Sequence, residues 1–316
     1  MKLIVSGLGR MGMQICRKLA EDNHTVIAHN RSFDKARATA DFGATPAATK
    51  EEAIGHFSSG EPVIIWVMIP AAVTAAELAS WCDVAPAGSI VIDGGNSDYR
   101  QTRRNAEIIA ARGHHLIDSG TSGGIMGLKE GFCMMIGGDR TSFETVEPIF
   151  QTLAQPHGGY HYFGETGSGH YVKMVHNAIE YGIMESLAEG YRMLREGAYP
   201  NINLAAAGEL WQQGSIINSS LNRLTTEALR ENPMLNGIEG AVAESGEARW
   251  TLETARELNI PMPSIQAAFD VRLGSQQGEV NFATRLLAAM RGKFGGHALN
   301  ISPGDGTSPS SKELRQ

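Results

Sequence analysis

Two textures divide this chain. Across its first half, short runs of β-branched and apolar residues recur at 2–5, 25–29, 63–68, 89–93, 115–118 and 132–136. Longer stretches such as 11–21 and 33–41 lie between them, with apolar residues returning at helical spacing. Strands separated by helices predict a mostly parallel sheet, doubly wound, with helices on both faces. After about Gly164 the strand signal fades. Segments 171–195, 203–212, 219–230, 249–258, 264–272 and 282–290, rich in Ala, Leu, Glu and Met, predict an all-helical second half. The expected division is an α/β domain over 1–165, an all-α domain over 166–300 and a mobile tail over 301–316, with the glycines of 164–169 as the joint.

Composition narrows the function. A length of 316 residues accommodates two domains, and 42% hydrophobic with 19% charged residues describes a globular protein. A formal net charge of -7 argues against nucleic acid as partner, since phosphate backbones call for clustered basic surface. A small anionic ligand stays open, because a few local cations outvote the global sign. No apolar run reaches the ~18 residues of a membrane span. The opening MKLIVSGLGRMG leads straight into a strand and lacks the long apolar core of a signal peptide. Cys16, Cys82 and Cys133 are scattered, which fits neither a disulfide framework nor a zinc site. A cytoplasmic protein is expected.

Gly7-Leu8-Gly9-Arg10-Met11-Gly12 follows the first strand and opens a helix. Glycines there allow a tight turn and close approach of a pyrophosphate to the unpaired N–H groups of a helix N-terminus. A Rossmann-type dinucleotide site is therefore expected. The second strand ends in Asn30-Arg31-Ser32, with Lys35 one turn on. NAD would want a carboxylate here. A guanidinium, hydroxyl and ammonium suit a 2′-phosphate, so NADP is expected, with NAD a weaker coenzyme. Val67 and Met68, closing the third strand, and Asn96, beyond the fourth, complete the expected coenzyme contacts.

Four further segments carry candidate chemistry. Asp93-Gly-Gly-Asn96-Ser97 falls at a strand's carboxyl end, where open α/β sheets bind ligands. Ser119-Gly-Thr-Ser122-Gly123-Gly124 is a loop of small residues that admits a ligand to backbone N–H groups. In the helix 169–181, Lys173, His176, Asn177 and Glu180 share one stripe, with Lys173 and Glu180 roughly 10 Å apart along the axis at ~1.5 Å per residue. The neighbouring Met174, Val175, Ala178, Ile179 and Ile183 predict that this helix is buried. Arg249, Thr251, Arg272, Arg291 and His297 are dispersed, and taken singly the basic ones read as surface charge.

Together, and in this order, these segments resemble the 6-phosphogluconate dehydrogenases over residues 1 to about 300. The most specific pieces are 93–97, Lys173-x-x-His-Asn-x-x-Glu-Tyr181 and Phe294-Gly-Gly-His297. The resemblance implies oxidative decarboxylation of 6-phosphogluconate to ribulose 5-phosphate with NADP and without a metal. It implies Lys173 as general base and Glu180 as general acid. Asn96, Ser122, Gly123, Gly124, His176 and Asn177 become sugar-acid contacts; Tyr181, Arg249, Thr251, Arg272 and Arg291 a phosphate cradle; His297 a residue closing the site. It further implies a homodimer or homotetramer with shared active sites, completed by a partner's Arg291 and His297. Two departures stand out. Ile125-Met126 replaces an acidic pair of the long forms, and the second copy of their helical region is missing. The alternatives are a β-hydroxyacid dehydrogenase or reductase that does not decarboxylate and, more remotely, an NADP-binding scaffold or sensor without catalysis.

Overall fold

A computed structural model of the chain describes residues 1–199 and 201–295. Its first half alternates β1 (Lys2–Ser6), α1 (Arg10–Glu21), β2 (Thr25–His29), α2 (Phe33–Arg37), β3 (Thr45–Ala47), α3 (Lys50–Gly55), β4 (Ile64–Val67), α4 (Ala71–Cys82), β5 (Ile90–Asp93) and α5 (Tyr99–Ala110). It continues through β6 (His115–Ser122), the short α6 (Gly127–Glu130), β7 (Cys133–Gly138), α7 (Arg140–Ala154) and β8 (Gly159–Gly164). Helices follow: α8 (Ser168–Glu196), α9 (Leu204–Trp211), α10 (Ser220–Glu231), α11 (Glu247–Glu257), α12 (Pro263–Gln276) and α13 (Phe282–Gly295).

The strands form one sheet in the order β3-β2-β1-β4-β5-β6-β7-β8. Neighbours from β3 to β6 pair in parallel, β7 runs antiparallel to β6, and β8 runs parallel to β7. Connections leave β1 in one direction and β4 in the other. The carboxyl ends of these two strands therefore flank the crevice where such sheets bind ligands. Both faces are covered. Leu3, Val5, Trp66 and Ile92 join one buried cluster, while Ile4, Ile65, Val67 and Val91 join another on the opposite face. The period-2 alternation thus separates two apolar sets, which is why these strands read as unbroken apolar runs.

The expected doubly wound, parallel-rich sheet followed by helices is what the chain forms. Some elements differ from expectation. Residues 119–122, read as loop, extend β6: their small side chains suggested a turn, but Ser119 to Ser122 pair in register with Ile136 to Cys133. The strands β3 and β8 were not expected. The first is three residues long and contains Pro46; the second is bounded by glycines and alternates between exposed and half-buried positions. The helix expected over 33–41 is α2 followed by a 3-10 turn (Ala38–Phe42), ended by Gly43 at φ +91.

By compactness the chain forms two units. One comprises Met1–Tyr181 with Ser245–Gln266; the other comprises Gly182–Glu244 with the chain from Ala267 onward. The start of α8 and all of α11 fall in the unit that holds the sheet. Arg100 of α5 clasps α11 by donating to Thr254 Oγ1 at 2.8 Å and to Glu257 Oε2 at 2.7 Å. In the second unit, Met184, Leu224, Val242, Leu287 and Met290 form one buried cluster, and Tyr191, Leu229, Leu235 and Leu286 another. There the Tyr191 hydroxyl donates to Asn222, whose amide donates to the Gly208 carbonyl.

Candidate active site

The glycine loop follows β1. Gly7 sits at φ +93, and a Cβ there would lie 2.4 Å from the Met68 carbonyl oxygen; one at Gly12 would lie 1.9 Å from the Gly7 oxygen. Both positions therefore demand glycine for packing. Gly9 is different: it precedes α1, and an added Cβ would meet nothing within 4 Å. That open face is where a diphosphate can approach the first N–H groups of α1. Asn30 braces the loop, accepting from the Leu8 N–H at 2.9 Å and donating to the Ser32 carbonyl at 3.1 Å. Its amide thus shapes the loop. Arg10, Arg31, Ser32 and Lys35 are exposed.

A cleft of about 230 Å³ opens in front of the loop, bounded by Gly9 to Gly12, Met68 to Pro70, Gly94 to Asn96 and Thr121. Val67, expected here, is instead a fully buried core residue of β4, and neither Val67 nor Leu8 lines the cleft. The turn after β5 is built by Asp93, whose carboxylate accepts from the Gly95 N–H and the Ser97 hydroxyl. Asn96 Oδ1 is buried and has no partner among the described residues. An orphaned buried acceptor at the rim, beside an open helix N-terminus, fits a bound dinucleotide.

On the same unit, α8 lies backbone against backbone on the sheet. A Cβ on Gly169 would fall 2.4 Å from the Met135 carbonyl oxygen, and one on Gly120 would fall 2.2 Å from Lys173 Cβ. Asp118, fully buried, accepts from the N–H groups of Gly167 and His170 at 2.7 and 2.9 Å and so caps the start of α8. Burial raises its pKa; the His170 charge and those two N–H groups oppose the rise.

This docking buries Lys173, which is 3% exposed. Its Nζ donates to Asn177 Oδ1 at 2.7 Å and lies 3.5 Å from His176 Nδ1; that nitrogen is 2.9 Å from Asn177 Oδ1. Burial pushes the lysine below its ordinary pKa, opposed by Glu180, Glu247 and Cys133. Burial, and then the Lys173 charge, also lowers the pKa of His176. Burial that disfavours the ammonium form, on an amine held in place by hydrogen bonds, equips Lys173 to take a proton. Glu180 is half-buried and makes no hydrogen bond to a described residue. Tyr181 is buried, and its hydroxyl accepts from the Ser245 N–H at 3.2 Å.

Of the stripe Lys173, His176, Asn177 and Glu180, all carried by α8, the structure joins the first three by hydrogen bonds, while Tyr181 bonds to Ser245. The stripe's surroundings are less buried than expected: Met174 and Ala178 are buried, but Ile179 and Ile183 are 50% and 45% exposed. Ser122 closes β6, with Gly123 at φ +129 and Gly124 at φ +53 turning the chain away; Ile125 and Met126 are exposed beyond them. The residues of the expected phosphate cradle lie on α8, α11, α12 and α13. Arg249 is exposed on α11, whereas Thr251 is buried and donates to the Glu247 carbonyl at 2.8 Å. Two positions apart on a helix, they face different ways. Arg272 is buried in the second unit beside Met184 Sδ, and Arg291 is half-buried there on α13. His297 lies outside the described residues. Three residues passed over in the sequence stand at the site's foundation: Asp118, Ser245 and Glu247. Asp118 ends the strand expected over 115–118, and Ser245-Gly-Glu247 precedes the helix expected from 249.

Fold and site together define a nicotinamide-dinucleotide-binding oxidoreductase. A family model described as the NAD binding domain of 6-phosphogluconate dehydrogenase matches residues 2–167, and one described as the C-terminal domain of 6-phosphogluconate dehydrogenase matches residues 169–291. The chain belongs to the 6-phosphogluconate dehydrogenase family. It is 36% identical to the Bacillus subtilis (strain 168) protein YqeC, whose name places it provisionally in this family, over 94% of this chain and 99% of that one. It is also 36% identical to an NAD(+)-dependent, decarboxylating 6-phosphogluconate dehydrogenase of Haloferax volcanii, over 95% of this chain and 98% of the relative. Among solved structures, the Plasmodium falciparum 6-phosphogluconate dehydrogenase superposes with a TM-score of 0.78 at 24% identity, covering 92% of this chain and 70% of that one; at that identity the likeness is one of fold.

Proposed function

We propose that this chain oxidises and decarboxylates 6-phosphogluconate to ribulose 5-phosphate and carbon dioxide, with NADP as preferred coenzyme. The observation that carries this reading is Lys173: a buried amine, held below its ordinary pKa and hydrogen-bonded to Asn177, on the helix that also carries Glu180. A bound nicotinamide supplies the hydride acceptor. Lys173 takes the proton of the C3 hydroxyl as that carbon is oxidised. The resulting β-keto acid loses carbon dioxide, and the protonated Lys173 donates to the C3 oxygen as electrons flow there. Glu180 then protonates C1 of the enediol. Asn96, Ser122, Gly123, Gly124, His176 and Asn177 orient the sugar acid.

Tyr181, Arg249, Arg272 and Arg291, with His297, supply the phosphate contacts in this reading. Arg291 and His297 reach the site of a neighbouring subunit in a homodimer or homotetramer in the cytoplasm. Arg31, Ser32 and Lys35, exposed at the end of β2, favour a 2′-phosphate. The Haloferax relative bears the name of an NAD(+)-dependent enzyme. Turnover of 6-phosphogluconate is therefore to be compared with both coenzymes while carbon dioxide is measured. One carbon dioxide per coenzyme reduced supports the reading. Oxidation without carbon dioxide identifies a non-decarboxylating hydroxyacid dehydrogenase instead.

A further inference from the structure

The hydrogen bonds of Lys173 do not stop at Asn177. The Asn177 Nδ2 donates to Glu247 Oε1 at 2.9 Å, and the Ser245 hydroxyl donates to Glu247 Oε2 at 2.5 Å. Ser245 in turn gives its N–H to the Tyr181 hydroxyl at 3.2 Å. The chain of contacts thus leaves α8 at Asn177, crosses to the start of α11 and returns to α8 at Tyr181. Glu247 is 4% exposed, and its carboxylate lies in the first turn of α11, where a negative charge is favoured. Gly246, at φ +106, holds that turn; a Cβ there would fall 2.6 Å from the Trp250 ring.

A buried carboxylate is costly unless it has partners and a purpose. The chemistry of an asparagine side chain suggests the purpose. Its two ends have nearly the same shape, one accepting and one donating, so packing alone selects neither orientation. A carboxylate only accepts. Facing Glu247, Asn177 must present its NH₂ to the carboxylate and its carbonyl oxygen to Lys173.

We infer that Glu247 is a positioning residue: through Asn177 it fixes the acceptor that holds the Lys173 amine at one point, and so aims the base. The inference rests on the reading of Lys173 as general base. It adds a residue that touches neither substrate nor coenzyme, contributed by a helix about seventy residues further along the chain. The groups facing Lys173 are His176 and Glu180 from its own helix, Glu247 from α11 and Cys133 from β7. Of these, Glu247 is the anion that also orients the lysine's hydrogen-bond partner.

The test is the pH dependence of kcat/KM, followed by coenzyme reduction, in Glu247→Gln, Glu247→Asp, Asn177→Asp and Lys173→Met proteins. A glutamine can donate as well as accept, so it no longer dictates the Asn177 orientation. Glu247→Gln should lower kcat about 10- to 100-fold, as expected for a slightly misplaced base. KM for 6-phosphogluconate should stay within about threefold, because Glu247 itself contacts no substrate and Asn177 is only one of six orienting residues. Loss of the negative charge should also move the acid limb to lower pH, by about one unit. Glu247→Asp, which keeps the pure acceptor, should retain more activity than Glu247→Gln. Asn177→Asp places a carboxylate directly on Lys173 and should move the limb the other way, to higher pH.

An unmoved limb with kcat within about twofold of the parent in Glu247→Gln overturns the inference. Should that variant not fold, an unmoved limb in Asn177→Asp overturns it equally. Normal hydride transfer in Lys173→Met strikes the base reading itself, whereas an inactive Lys173→Met beside an unaffected Glu247→Gln strikes only the role of Glu247.

Discussion

The coenzyme end and the lysine end stand on one unit, yet they are built differently. At the coenzyme end, the groups that offer charge or hydroxyl — Arg10, Arg31, Ser32 and Lys35 — are exposed, and the glycine loop is a continuous stretch of six residues. At the lysine end, Lys173, Glu247 and Asp118 are each under 5% exposed and come from three separated parts of the chain. The first region offers a ligand solvent-facing side chains, whose exposure leaves them little part in folding. The second holds an amine and two carboxyl groups in the interior, where each needs its partners to persist. Function and stability are separable at one end and tied together at the other, so substitutions should sort accordingly.

The largest effect should come from Lys173→Met. Removing a positioned general base costs on the order of 10²- to 10⁴-fold in kcat. The same change should raise the melting temperature near neutral pH, since a buried amine is replaced by an apolar side chain of similar length. The pH dependence follows. Unfolded, Lys173 holds its proton up to ~10.4; folded, burial makes it release the proton earlier. Between the lowered folded value and ~10.4 the unfolded state binds more protons, so parent stability should rise with pH through that window. Below the window the lysine contributes a constant penalty. Thermal melts at several pH values should show that rise in the parent and lose its Lys173 share in Lys173→Met. A variant no more stable than the parent would mean that Asn177 and Glu247 compensate the buried charge fully.

Paired glycine changes separate the two ends next. Gly120→Ala drives a methyl into Lys173 Cβ and should cost about 1–3 kcal/mol of stability as well as activity, because α8 must lift from the sheet. Gly9→Ala meets no protein atom, and its backbone, at φ -73 and ψ -166, suits alanine. It should melt like the parent while weakening coenzyme binding, measured by titration. Equal losses of stability in both proteins would contradict the contrast.

How much of this was legible in the sequence follows the same divide. The glycine loop could be read because its elements adjoin: strand, turn and helix in one run. The stripe from Lys173 to Glu180 could be read because helical periodicity gathers it from one segment. Glu247 could not, since its partner Asn177 lies seventy residues earlier and nothing in Ser245-Gly-Glu247 announces the pairing. Asp118 was hidden in the same way, its partners being backbone N–H groups of a helix that begins fifty residues later. The extension of β6 through Ser122 was masked by turn-like composition, and only its pairing with β7 makes it a strand. Local physics reveals what one segment does, and the buried network depends on which segments meet.

A smaller effect is expected at the exposed end. If Arg31 holds the 2′-phosphate as proposed, Arg31→Ala should lower kcat/KM for NADP roughly 10- to 150-fold while NAD changes little. Stability should be unchanged, as the side chain is exposed. Equal losses with both coenzymes would remove Arg31 from coenzyme discrimination and bring this chain closer to its NAD(+)-dependent relative.

The smallest effect should be at Thr251, where family resemblance and geometry disagree. The resemblance counts it among phosphate contacts, but the residue is buried and its hydroxyl donates to the Glu247 carbonyl one turn earlier in α11. That carbonyl belongs to the helix's own hydrogen-bond ladder, so the hydroxyl is an extra donor rather than its sole partner. Thr251→Val keeps the shape and removes only that hydrogen bond. It should cost no more than about 1 kcal/mol in stability and leave KM for 6-phosphogluconate within about twofold. A hydroxyl bound to a phosphate would behave otherwise: losing a hydrogen bond to a charged group should raise KM about tenfold or more with kcat preserved. Measuring KM and the melting temperature on the same protein decides the matter. A tenfold rise in KM without loss of stability would move Thr251 from the structural side of the comparison to the ligand-binding side, and would show that substrate reaches the buried face of α11.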